Sequence, residues 1–487
     1  MKANRKKNIF LFLGILFFHF GFASSKNPPI QQQKKVGDTI VAPIVDTPFN
    51  VVISSVRIVG NKKTNKAIIL RELPFKTGEA FTVTAKEMSD ILTNARQLIY
   101  NTNLFSAVSV ALTSNDSTQI ELLITVTERL YFYPVPQFRL IDRNFNEWWK
   151  TFDRDPERTI YGLRIFHNNV SGNADRLSIG VMNGYLKSIS LGYGIPYINK
   201  KQTIGISASV FYTENREFTY ASSNINRLLL YRTPNFERKQ FVASGGLILR
   251  KGLYTKQLFQ LHYSNIVLPD SFALKNPGYL NTTEKNIAFA DVNYTFQYIK
   301  VDNINYPQRG KIITASLFNR GLGLSSKLAM TSFDFSLREY MQQKQFNFAL
   351  QVFAKCKLPF KQPYFNQRML GYNDLYLRGL EYYVVDGVVA GLSKFTVSTK
   401  ILHTNIPMPF RFKSISRVPL SIFMKSYGDL GYVQQAVDYH SNLNNRLLYS
   451  GGLGFDLLSL YDMQLGIEYS INQLGERGLF LHTKAFF

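Results

Sequence analysis

One cysteine in 487 residues leaves no partner for a disulfide, and Cys356 lies too deep in the chain to be an N-terminal lipid-bearing residue. Flanked by Lys355 and Lys357, it reads as an outward, apolar strand residue. Beyond the first two dozen residues no stretch approaches 18 consecutive apolar residues, which excludes helical membrane spans. Any membrane passage here must use strands closed into a barrel. Tryptophan is nearly absent, at 2 residues, whereas Tyr 28 and Phe 39 are abundant and Gly 31 exceeds Pro 18. Aromatic-rich, glycine-bearing strands at a water boundary produce that mix.

Recognisable reaction chemistry is missing as well. Gly205-Ile206-Ser207-Ala208-Ser209 fails the nucleophile-elbow pattern at its last position, and Gly310-Lys311 lacks the upstream glycine and following hydroxyl of a phosphate loop. His167, His262, His403, His440 and His482 are dispersed without metal-ligand spacing and read as lumen or loop residues. The sequence therefore predicts no enzyme, no catalytic residue, no cofactor and no metal site.

At the N-terminus Lys2, Arg5, Lys6 and Lys7 precede an apolar run from Ile9 to Phe22 and the small residues Ala23-Ser24-Ser25. This reads as a secretory signal peptide over 1–23, cleaved after Ala23, since the run is too short to span ~30 Å of hydrocarbon. Acidic residues are scarce, 33 against 57 basic ones, for a formal charge of +24. An exported chain seldom meets nucleic acid, so anionic headgroups, a basic lumen or loop charges are the expected partners of that excess. Residues 24–49, with Pro28-Pro29, Gln31-Gln32-Gln33 and Lys34-Lys35, read as a flexible linker.

A small α+β domain is predicted over 50–129. A strand ending at Val59 runs into Gly60-Asn61, a helix follows from about Thr64 to Leu73, and Pro74 and Gly78 close it. Thr84 and Glu87 form a capping box for a second helix carrying Met88, Ile91, Leu92, Ala95, Leu98 and Ile99 on one face. Val108, Val110 and Leu112, then Ile120, Leu122, Ile124 and Val126, alternate as two strands. The order is βααββ. The stretches "VRIVGNKKTNKAIILRELPFKTGEAF" and "NTNLFSAVSVAL", with Gly60, Asn61 and Phe105 carrying most of the likeness, resemble a POTRA domain of the BamA/TamA outer-membrane assembly superfamily.

From residue 130 to 487 the chain is written in period 2, in strands of about ten residues. Ile204, Ile206, Ala208, Val210 and Tyr212 alternate with smaller residues; Phe346, Phe348, Leu350 and Val352 alternate with Asn347 and Gln351. Isolated Lys and Gln in mid-strand argue for a barrel with a polar lumen over a soluble sandwich. About seventeen candidate strands can be counted, one more than the resemblance implies, with the surplus placed near 255–267 as a hairpin or loop extension. Long loops are expected at 140–157, 268–284 and 359–387. Phe487, on a face shared with Leu479, Leu481 and Ala485, resembles the C-terminal sorting signal of outer-membrane barrels. The predicted fold class is an all-β transmembrane barrel of about 16 antiparallel strands preceded by one POTRA domain.

The resemblance extends to "NNVSGNADRLSIGV", which looks like the second turn, and to Asp302 with Tyr306-Pro307-Gln308-Arg309-Gly310, which looks like the opening of the ninth strand. It also implies a long loop folded into the lumen, with Arg378-Gly379 at its tip. The arginine would pair with the acid of an aromatic-x-Asp-x-Gly wall motif, here Tyr427, Asp429 and Gly431. Alternation supports this independently, because Leu420, Ile422 and Met424 take one face and Phe423, Lys425, Tyr427 and Asp429 the other. Leu380 replaces the aromatic usual after Arg-Gly, and Tyr382 or Tyr383 is expected to supply that packing.

The functional expectation is an outer-membrane protein inserter, its POTRA domain in the periplasm. Pro134 and Pro136 would weaken a seam between first and last strands, or else belong to a linker before the barrel. Unfolded outer-membrane or secreted proteins, outer-membrane lipids and accessory lipoproteins are the implied partners, and nucleic acid is not. The rival is a secretion pore for one dedicated partner protein.

Overall fold

The computed structural model describes residues 47–114, 119–141, 145–322, 328–372, 375–412, 415–436 and 441–484. The predicted signal peptide, nearly all of the predicted linker, and Phe487 with its sorting-signal reading lie outside the described residues.

The N-terminal domain runs β1 (Phe49–Val59), α1 (Lys66–Leu70), β2 (Ala80–Val83), α2 (Ala85–Tyr100), β3 (Phe105–Ser114) and β4 (Gln119–Glu128). Its sheet order is β2-β1-β4-β3, with β1 and β4 parallel and the other pairs antiparallel. Two details differ from expectation. The four residues of β2, which pair with Phe49–Val52 at the start of β1, are too few to show alternation in sequence. Helix α1 is shorter than predicted because Asn65, not Thr64, caps it, and beyond Leu70 the bonds shift to the i−3 type, Glu72 N to Ile69 O and Leu73 N to Leu70 O. Pro74 disfavours helical geometry at the residue before it. The capping box of α2 forms as read, Thr84 and Glu87 each accepting the other's backbone N–H at 3.2 and 2.9 Å. Ile53, Ile69, Ala95, Ile99, Phe105, Leu122 and Ile124 are buried beneath the two helices.

The remaining strands are β5 (Phe132–Leu140), β6 (Thr159–Asn168), β7 (Arg176–Gly184), β8 (Leu186–Ile195), β9 (Ile204–Asn215), β10 (Glu217–Ser222), β11 (Leu228–Arg232) and β12 (Arg238–Leu249). Next come β13 (Thr255–Val267), β14 (Asn286–Val301), β15 (Gly310–Arg320), β16 (Met330–Gln343), β17 (Phe346–Leu358), β18 (Arg368–Leu370) and β19 (Val385–Asp386). The chain ends with β20 (Val389–Phe412), β21 (Ile415–Gln434), β22 (Leu447–Leu458), β23 (Gln464–Asn472) and β24 (Arg477–Lys484). Sixteen of these form one antiparallel sheet from β5 to β24.

The surplus strand was misplaced. Thr255–Val267 is a full wall strand, paired to β12 and β14 along its length. The extra segments are the hairpin β10/β11 and the short pair β18/β19, which lie outside the wall. Alternation continues into β10 and β11, so the sequence cannot separate a wall strand from a hairpin on a loop. The connection holding β10 and β11 is thus a further long loop beside those following β5, β13 and β17.

Alternation decides which side chains meet the lumen. Along β21, Phe423, Lys425, Tyr427 and Asp429 are buried, while Met424 and Leu430 are about half exposed. Cys356 shares the outward face of its cross-strand neighbour Phe333, as read. At the end away from the N-terminal domain, Phe218, Phe272, Tyr279, Leu280 and Leu328 form an apolar cap with Tyr364 and Phe365 of the loop after β17.

Candidate functional site

The loop between β17 and β20 folds inward and seats Leu377, Leu380, Tyr383 and Val385 against Leu392, Val433 and Leu448 of the wall. That burial brings Arg378 beside Asp429, with Arg378 9% and Asp429 1% exposed. Arg378 donates from its backbone N and Nε to Oδ2 at 2.9 and 3.0 Å, and from Nη2 to Oδ1 at 2.5 Å. Nη1 reaches Thr396 Oγ1 at 3.0 Å. Because Tyr427 lies two residues before Asp429 on the same face, its ring underlies the guanidinium, 3.9 Å from centroid to Cζ.

The two glycines fit this geometry. Gly379 has φ +86°, in the left-handed region, and its carbonyl accepts from Asn472 Nδ2 at 2.8 Å. A Cβ at Gly431 would lie 2.9 Å from Leu377 Cδ1, so its small size lets the loop approach the wall. Leu380 is buried in the loop's own cluster. Tyr382 packs edge-on to Phe480 with ring centroids 5.9 Å apart, and Tyr383 donates to Glu476 at 2.7 Å, so both tyrosines fasten the loop.

Sequence reasoning missed a second polar layer beneath this pair. Lys425 Nζ bridges Asp456 and Glu468 at 2.6 Å each, and Tyr427 hydroxyl meets Ser470 Oγ at 2.6 Å. Glu381, three residues past the arginine, lies within 3.4 Å of His482. The available signal was the isolated Glu468, Ser470 and Asn472 on one face of β23.

Of the other predicted motifs, the Asp302 turn touches the lower polar layer through Tyr306, whose hydroxyl donates to Asp456 at 3.1 Å. Asp302 Oδ1 accepts from the backbone of Asn303, Gln308 and Arg309 at 2.9–3.1 Å, which folds the turn containing Pro307. Gly310 then opens β15, the ninth wall strand, at φ +104°. In the N-terminal domain Phe105 is fully buried, Asn61 Nδ2 donates to Thr64 O at 3.0 Å, and Gly60 lies against the Val126 carbonyl.

That domain is fixed across one mouth of the barrel. Asn65 N bonds to Gly172 O, Asn94 to Tyr254, Asn101 to Val301 and Ile304, and Tyr100 to Asp462. Arg71 donates to the carbonyls of Gln202, Arg250 and Gly252. The strongest tie is Arg250 to buried Glu72, two parallel bonds of 2.6 and 2.7 Å. Burial by itself lowers the Arg250 pKa, but Glu72 more than offsets this and holds it above the ordinary value. Burial, then the Asp462 carboxylate, pushes the Tyr100 phenol up to about 12.

The two ends of the sheet form the last feature. Among the described residues no ladder joins β5 to β24. At the ends of β5, Asn168 N bonds to Tyr131 O and Ile141 N to Arg158 O, so odd-numbered residues turn their backbone groups toward β6. Even-numbered residues therefore present theirs at the outer edge. Pro134 and Pro136 lie within β5, not in a preceding linker, and both remove an N–H from that edge.

Residues 51–129 match the family described as POTRA, surface antigen variable number repeat. No curated protein matches the chain. Among solved structures, CdiB from Escherichia coli aligns over 89% of this chain and 75% of its own at 10% identity, with a TM-score of 0.52. BamA from Haemophilus ducreyi lacking POTRA domains 1–3 aligns over 90% and 85% at 15% identity and TM-score 0.47. CdiB from Acinetobacter baumannii aligns over 88% and 73% at 14% identity and TM-score 0.46. The likeness to the Escherichia coli protein is one of fold.

Proposed function

We propose that this protein, which has the POTRA-plus-barrel fold of the BamA/TamA superfamily, assembles other barrel proteins in a bacterial outer membrane without covalent chemistry. The POTRA domain lies in the periplasm. The observation that carries this reading is the seam, where β5 lacks two donors on its outer edge and no described ladder ties it to β24. An edge that opens sideways exposes unpaired backbone groups, and an incoming strand gains ladder bonds by pairing with them. Strand β3, at the edge of the POTRA sheet, offers the same chemistry to an unfolded client before it reaches the membrane.

The state of the lumen favours the lateral route over a secretion pore. Loop residues 377–385 fill one side, aromatic loops cover one end, and the POTRA domain is bonded across the other. Outer-membrane lipids then border the opening, and accessory lipoproteins would contact the POTRA domain.

Depletion of the protein distinguishes the two readings. Broad loss of many barrel proteins is the expected outcome, whereas a single stranded periplasmic client would establish secretion. A disulfide engineered between β5 and β24 in a Cys356→Ser background should abolish assembly and recover on reduction. Full activity with the seam locked would refute lateral opening.

A further inference from the structure

Three side chains from separate elements converge inside the barrel: Glu381 of the inward loop, Glu468 of β23 and His482 of β24. Their potential ligand atoms all lie within 4.8 Å of one another. His482 Nε2 is 3.4 Å from Glu381 Oε1 and 3.4 Å from Glu468 Oε2. Those separations exceed the usual hydrogen-bond range of about 2.7–3.2 Å. They match the ligand-to-ligand edge of about 3.3 Å that a tetrahedral ion with bonds near 2.05 Å requires.

Glu381 and Glu468 are buried and His482 is half-buried, and all three face the shared space. Glu381 is 7% exposed, and no hydrogen bond of good geometry reaches its carboxylate oxygens, Glu468 Oε2 or His482 Nε2, which meet one another only at ion-pair distance. Their other atoms are held from behind. Tyr376 hydroxyl meets His482 Nδ1 at 3.0 Å and stacks on the ring, and Lys425 fixes Glu468 Oε1 at 2.6 Å. Outer partners of this kind orient metal-binding imidazoles and carboxylates.

Lys425 is shared between Glu468 and Asp456, and Arg378 is occupied by Asp429. Lys394 lies over the Tyr376 ring, 4.4 Å from its centroid. The two carboxylates share one imidazole, and an ion binding there displaces the imidazole's proton and takes over that nitrogen.

We propose that Glu381, Glu468 and His482 bind a divalent first-row transition ion, with N/O donors suited to Zn2+ and a remaining position open to water. The ion fastens the Arg378 loop to β24, the strand that borders the seam. Such a site is independent of whether the barrel inserts or secretes proteins.

The test uses full-length protein in detergent, without a polyhistidine tag, stripped by chelator and titrated with Zn2+ in a calorimeter. One ion per chain is expected. Glu381→Gln and His482→Gln should each weaken binding at least about tenfold while retaining the heat-modifiable gel shift of a folded barrel. Zinc-edge X-ray absorption on the wild type needs no variant and should show N/O donors with a single imidazole. A wild type that fails to bind one ion saturably, binding unchanged in both variants, or a spectrum with sulfur or several imidazoles would overturn the site. The triad would then be an imidazolium bridging two carboxylates.

Discussion

The wall facing the inward loop and the seam at the first strand are built from the same kind of strand, yet one is tied at every level and the other is not. On β20 to β23, long ladders are supplemented by Arg378–Asp429, by Lys425 between two acids, and by Asn472 on the Gly379 carbonyl. At β5, two prolines subtract donors from the outer edge. A sheet forms ladders wherever donors are free, so an edge deprived of them is where the barrel yields first.

The largest expected effect tests the tied side. Arg378→Ala strands a carboxylate that is 1% exposed and should cost about 3–5 kcal/mol, read as a lowered urea midpoint of the folded barrel. Combining it with Asp429→Ala should cost less than the two single changes together, because no buried charge is then left unpaired. Arg250→Ala should cost about 2 kcal/mol by unpairing Glu72. Its signature is faster proteolysis between the POTRA domain and the barrel. Gly431→Ala forces Leu377 aside and should cost about 1 kcal/mol, with Asp429 still paired.

The smallest stability change, under about 1 kcal/mol per residue, is expected for Pro134→Ala with Pro136→Ala. Its effect on function should be disproportionate: two donors return to the seam edge, cross-seam cysteine coupling rises and client assembly falls. Unchanged coupling would erase the contrast between wall and seam.

Much of this was legible beforehand, for particular reasons. Asp429 was placed on the lumenal face because period-2 alternation follows from backbone geometry alone, and the Thr84–Glu87 box is set by contacts three residues apart. The strand at 255–267 was misjudged because alternation reports a half-buried strand without saying which neighbour it joins. Glu468 and His482 were visible as polar residues, but nothing local relates them to Glu381, which lies on a loop 87 and 101 residues before them.

By itself the sequence determined which side chains of β21 face outward and which face the lumen, Asp429 among the latter, and how the second helix of the N-terminal domain is capped. Those properties depend on local periodicity and residue type. Tertiary structure alone decided that Glu72 meets Arg250, that Glu381 joins Glu468 and His482, and that Pro134 and Pro136 face the open edge and not β6. Each of these depends on how distant segments are brought into register by the closing of the sheet, and no local pattern encodes that distance.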